Sequence, residues 1–95
     1  MWIVRVNKKA AKQLAKLPEG IQKRFDLLAN ELEVAGPNRV NWTNFGRLNM
    51  SKGIYQYHCH IKSGRPTYVV CWQIIDKTIQ ILEVSYVGTH ENAPY

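Results

Sequence analysis

The sequence predicts an α+β fold: an antiparallel β-meander with a two-helix hairpin packed on one face, in the order β-α-α-β-β-β. Three observations point there. Apolar residues recur at helical spacing in the first third of the chain, and apolar and polar residues alternate through its second half. Turn residues separate the alternating runs at short intervals, which marks hairpin-linked strands. Helices that precede a run of strands, rather than alternating with them, gather on one face of the sheet. The chain has 95 residues, the length of one domain spanning 1–95 with a single modest core.

Trp2-Ile3-Val4-Arg5-Val6 reads as a short strand by its β-branched and aromatic content. Asn7 is placed to cap a helix over residues 8–17. Ala10, Ala11, Leu14, Ala15 and Leu17 form the inner face of that helix, Lys8, Lys9, Lys12 and Lys16 face solvent, and Pro18 ends it. A second helix starts near Glu19. Its Ile21, Phe25, Leu28 and Leu32 recur at spacings of four, three and four, a core stripe, and Gly36-Pro37 stops it. Almost no loop separates the two helices, so they form an antiparallel hairpin.

Residues 37–53 have weak periodicity and many asparagines and glycines. A short strand at 46–50 is expected within them. Arg39, Arg47 and Lys52 bring charge, and Trp42 and Phe45 bring rings that either plug the edge of the core or stack on a nucleic acid. Three strands follow at 54–61, 67–75 and 79–87. Ser63-Gly64-Arg65-Pro66 turns the first hairpin and Asp76-Lys77-Thr78 the second.

The composition narrows the function classes. Thirteen Lys and Arg stand against seven Asp and Glu, and twelve of those cations lie in residues 1–65 with only four of the acids. Such a balance favours a polyanionic partner, either a nucleic acid or an acidic protein segment. Cys59 and Cys71 fit no Cys-x-x-Cys metal spacing, and their apolar surroundings read as two buried reduced thiols. No run approaches the roughly 18 apolar residues of a membrane span. No basic leader with an apolar stretch opens the sequence, so no membrane association and a cytoplasmic location are expected.

The strand at 54–61 separates its side chains by face. Tyr55, Tyr57, Cys59 and Ile61 form an apolar set for the helices. Ile54, Gln56, His58 and His60, continued by Lys62, point to the open face. After the last strand, Gly88-Thr89-His90-Glu91-Asn92-Ala93-Pro94-Tyr95 brings another imidazole and a phenol onto a bent tail. His-x-His on a strand would suit a metal with His90 as a third ligand, but no Asp, Glu or Cys joins at a diagnostic spacing, and no metal or cofactor is expected. RNA cleavage by its own 2′-hydroxyl accounts for more of the residues. It needs a base for the 2′ proton, an acid for the leaving 5′-oxygen, and cations for the phosphoryl oxygens. His58, His60 and His90 supply acid and base, Arg47, Lys52 and Lys62 hold phosphate, and Tyr95 stacks on a base or polarises an oxygen.

With these residues in view, the chain resembles the RelE/ParE superfamily of bacterial toxin–antitoxin toxins over nearly its whole length. The resemblance rests on the element order and on Lys8-Lys9-Ala10-Ala11 with Leu14 and Lys16-Leu17-Pro18. It rests also on Gly53-Ile54-Tyr55-Gln56-Tyr57-His58, on the strand pair around Trp72 and Glu83, and on the ending Gly88-Thr89-His90 with Tyr95. The ending looks most like the HigB-type branch, which implies a ribosome-dependent messenger-RNA endoribonuclease held silent by a cognate antitoxin. Under the resemblance, His90 and Tyr95 match the family's C-terminal catalytic pair, His58 sits in the active-site strand, and Arg47 or Lys52 lies near its basic loop. The roles of His60 and Lys62 come from the alternation alone. The chain departs from the pattern where Val69 follows Tyr68 in place of an arginine, and where His58 and His90 stand at positions that many members fill with arginine. The alternatives are a ParE-like inhibitor of DNA gyrase, which shares the fold without nuclease chemistry, and a non-catalytic antitoxin-binding relative.

Overall fold

The computed structural model describes residues 1–48 and 55–95. Along these the chain runs through β1 (Ile3–Val6), α1 (Lys8–Ala15), α2 (Glu19–Ala35), β2 (Thr43–Arg47), β3 (Gln56–Lys62), β4 (Tyr68–Asp76) and β5 (Ile81–Thr89), then a 3-10 turn at His90–Asn92. The strands lie in the order β1-β5-β4-β3-β2. The fold is α+β, with the meander β3-β4-β5 antiparallel as expected. Two edges extend it. β2 pairs antiparallel with β3, earlier in the chain than the strand expected at 46–50. β1 pairs parallel with β5, which makes the sheet mixed. No tight turn joins parallel neighbours, and the whole of the chain between them is the connection, so nothing local announces the pairing. No described helix is long and apolar enough to cross a membrane.

The helix ends follow from local chemistry. Asn7 Oδ1 accepts the Ala10 N–H at 2.7 Å and caps α1. At the other end, Gln22 of α2 donates its Nε2 to the carbonyls of Leu14 at 3.1 Å and Leu17 at 3.0 Å, which ties the close of α1 and the link after it to the second helix. Gly36 closes α2 at φ 90°, and a Cβ there would lie 2.9 Å from Trp2 Nε1. Only glycine satisfies both the left-handed backbone and the indole's approach.

Ile21, Phe25, Leu28 and Leu32 are all buried against the sheet. In α1, only Ala10 is fully buried, while Leu14 and, just past the helix, Leu17 pack against the core from its margin. Ala11 and Ala15, expected on the inner face, are exposed. Positions 10, 14 and 17 make a single narrow stripe, and 11 and 15 each turn about 100° away from 10 and 14 on the helical wheel. Trp72 is wholly buried and donates its Nε1 to Pro37 O at 3.2 Å. Phe45 and Tyr57 lie with ring centroids 6.1 Å from it. The loop rings therefore close the core: Phe45 joins this stack, and Trp42 packs beside it. One carboxylate ties the loop to α2. Glu31 Oε1 accepts from Arg39 at 3.1 Å, Asn41 Nδ2 at 2.8 Å and Trp42 Nε1 at 3.0 Å, and these donors lower its pKa.

Candidate active site

The sheet face away from the helices is not bare. Val69, Cys71 and Tyr86 are buried there beneath Leu48 and Ala93. Alternation on β3 sends Tyr57, Cys59 and Ile61 into the helix-side core and leaves His58 and His60 half-buried on this second face. Across the ladder, His58 pairs with Cys71 and His60 with Val69. Burial pushes the Cys71 thiol up to about 12, so it is a protonated apolar floor for the site and not a nucleophile.

The tail then folds back over this floor. The His90 N–H donates to Thr67 O at 2.9 Å and the Ala93 N–H to His90 O at 3.2 Å. With Ala93 seated on the apolar patch, Tyr95 reaches β3. Its ring centroid lies 4.7 Å from that of His58 and 5.9 Å from that of His90. His90 in turn meets His60 edge-on at 5.4 Å. His58, His60, His90 and Tyr95 thus occupy one cluster, although Tyr95 lies 37 positions from His58 in the sequence.

Two glycines make room. A Cβ on Gly46 would lie 3.1 Å from His58 Nε2. A Cβ on Gly88 would lie 2.6 Å from the Tyr86 hydroxyl, which donates to Thr89 O at 2.7 Å. Gly88 is therefore a matter of space, not of backbone freedom. Asn44, at φ 52°, brings its Nδ2 within 3.3 Å of His60 Nδ1. His58 Nδ1 is buried and has no hydrogen-bond partner among the described residues.

Electrostatics disfavour the charged form of His58 and His60. Burial, reinforced by the neighbouring His60 and His90, holds His58 below its ordinary 6.5, and burial with His90 does the same for His60. Burial pushes the Tyr95 phenol up to about 12, so it stays protonated and can donate. The cluster holds proton acceptors and a proton donor side by side. Among the described residues, no group of three His, Cys, Asp or Glu side chains is arranged to hold a metal ion.

The cations expected with the imidazoles are not all beside them. Lys62 is not on the open face: the register shifts between His60 and Lys62, and Lys62 pairs with Tyr68, whose ring packs on the helix-side core. A bulge of this kind breaks the period-two alternation on which the expectation rested. Arg47 pairs with Tyr57, and register partners share a face, so its side chain leaves on the helix side. Lys52 lies outside the described residues. Other basic groups line the site instead. A groove of about 820 Å³ runs beside Tyr95 and is bordered by Lys9 and Gln13 of α1, by Lys16 at its C-cap and by Gln56 of β3. A second cleft, on the far side of His60 and His90, is bordered by Arg65. The sequence does carry a signal for the first set. Lys9, Gln13 and Lys16 stand at i, i+4 and i+7, one face of a helix. Nothing local marks Arg65, which reaches the site only because its turn folds toward the tail.

No protein-family model matches the chain, and no curated protein matches it significantly. Solved structures do. A chain of the archaeal RelE–RelB complex from Pyrococcus horikoshii OT3 is similar at 17% identity and a TM-score of 0.76, covering 97% of this chain and 98% of that one. A free-state arginine-to-alanine mutant of the E. coli toxin RelE is similar at 20% identity and a TM-score of 0.66, covering 97% and 86%. The isolated E. coli RelE toxin is similar at 21% identity and a TM-score of 0.63, covering 99% and 89%. Helix hairpin, mixed sheet and near-complete mutual coverage agree: this chain has the RelE-like fold.

Proposed function

We propose that the protein is the toxin of a type II toxin–antitoxin pair and a metal-independent messenger-RNA endoribonuclease acting in the ribosome, in the cytoplasm. The observation that carries this reading is the convergence of His58, His60, His90 and Tyr95 at one end of the open sheet face, with ring centroids 4.7–5.9 Å apart. The lowered pKa values of His58 and His60 suit them to removal of the 2′ proton. An imidazolium or the Tyr95 phenol protonates the leaving 5′-oxygen, and the Tyr95 ring stacks on a nucleobase. Lys9 and Lys16 offer the phosphate backbone its positive wall on the α1 side, with Arg47 and Lys62 assigned to more distant phosphates and Lys52 kept as a phosphate-binding candidate on the sequence alone. The fold shared with a chain of the RelE–RelB complex, and the net positive charge, support a cognate antitoxin with an acidic segment as the protein partner.

The test is a reconstituted translation reaction with the purified protein, in which messenger-RNA ends are mapped by primer extension with and without ribosomes. Codon-phased cuts that require ribosomes are expected. His90→Ala and Tyr95→Ala should each slow them by about 100-fold or more, the scale of a lost acid–base group. Intact message with normal translation sinks the nuclease reading.

A further inference from the structure

The turn between β3 and β4 and the 3-10 turn after β5 face each other across a cleft of about 690 Å³. His60, Arg65, Pro66, Thr67, His90 and Glu91 line it. Its two walls are fastened together. Thr67 Oγ1 donates to Gly64 O at 2.8 Å and accepts the Gly64 N–H at 3.2 Å, which closes the turn that carries Arg65. The carbonyl of the same Thr67 accepts the His90 N–H at 2.9 Å. The segment presenting Arg65 and the segment presenting His90 are thus held by one residue, and Asn44 steadies His60 from the β2 side.

The lining chemistry selects a ligand class. Of the side chains named, Pro66 alone is apolar, so an amphipathic peptide has no anchor row. Arg65 brings a planar guanidinium with five donors, a shape that grips phosphate through paired hydrogen bonds. His60 and His90 add ring nitrogens for the remaining oxygens. Glu91 is the lining carboxylate, and among the described residues no ion pair joins it to Arg65, so the guanidinium is available. We propose that this cleft is a phosphate-binding site, in which Arg65 holds a nucleotide phosphate against the His60 and His90 imidazoles. That the phosphate belongs to RNA, on the side of the scissile linkage away from Tyr95, rests on the function proposed above. The phosphate chemistry does not.

The probe is uridine 3′-monophosphate, titrated into the full-length protein while the imidazole signals of His60 and His90 are followed by NMR. Uridine and a short poly-aspartate peptide serve as comparison ligands. The nucleotide is expected to shift both imidazoles and to raise the titration midpoint of His60, because a phosphate dianion favours the imidazolium. Arg65→Ala should weaken its binding at least tenfold, Arg65→Lys should restore part of it, and Lys12→Ala, a charge removed from the outer side of α1, should leave it unchanged. Uridine should not bind in the same range. Equal affinity of wild type and Arg65→Ala overturns the inference, as does poly-aspartate binding as tightly as the nucleotide, which would mark a carboxylate-binding protein interface. Cleavage is not read here. Arg65-dependent phosphate binding by a protein inert in translation supports the site and defeats the nuclease reading alone, while cleavage with Arg65-independent binding defeats the site alone.

Discussion

Replacing Gly88 by alanine tests the link between fold and site most directly. The new methyl would sit 2.6 Å from the Tyr86 hydroxyl and 2.9 Å from its Cζ, well inside contact distance. Both residues lie in β5, and Tyr86 pairs with Cys71 on the floor of the candidate site. The ring must swing, which breaks its hydrogen bond to Thr89 O and lifts the apolar patch on which Ala93 rests. Overpacking of this kind costs about 1–3 kcal/mol and the lost hydrogen bond about 0.5–1.5 kcal/mol, so about 2–4 kcal/mol is expected in all. That is a large share of the roughly 5–15 kcal/mol that stabilises a domain of this size. Urea unfolding of four proteins reads it: wild type, Gly88→Ala, Tyr86→Phe and the double variant. Removing the hydroxyl removes the nearest clash, so the double variant should cost about 1 kcal/mol less than the sum of the single variants. Strict additivity, or a Gly88→Ala loss under about 0.5 kcal/mol, would refute the claim that the glycine is there to make space for the ring.

Two further outcomes follow from the electrostatics. The folded-state pKa values of His58 and His60 are lowered, so near and below pH 6.5 the unfolded chain binds more protons than the folded one. The native state is fully favoured above that pH and loses stability as pH falls from 6.5 through the lowered folded values; the urea midpoint should drop accordingly, and less steeply in a His58→Gln/His60→Gln variant. For Glu31 the folded pKa is also lowered, but for a carboxyl group, so its contribution is present above the ordinary 4.5 and is lost as pH falls through the folded value. Glu31→Ala at neutral pH strands three donors and should cost about 2 kcal/mol in urea, with Glu31→Gln losing less because one acceptor remains.

Much of the fold is legible in the sequence because its causes are local. The period of Ile21, Phe25, Leu28 and Leu32, the Asn7 cap, the Gly36 stop and the alternation around Tyr57, His58, Cys59 and His60 each depend on residues within a turn or two of one another. The same local patterns single out the imidazoles on the open face and the phenol at Tyr95 as groups able to do chemistry. What the tertiary structure alone decides is non-local. β1 pairs in parallel with β5, Ile3 opposite Ile81, and no periodicity encodes a neighbour so far along the chain. The bulge after His60 is set by the pairing of β3 with β4, so it carries Lys62 away from a face that alternation would have given it. The distance from His58 to Tyr95, and the place of Arg65 beside His90, depend on Ala93 settling on a patch built by β4 and β5, and on Thr67 tying two turns together. Periodicity reports which face of its own element a side chain takes. Which faces meet is decided by packing and by hydrogen bonds between segments distant in sequence, and the site lies where they meet.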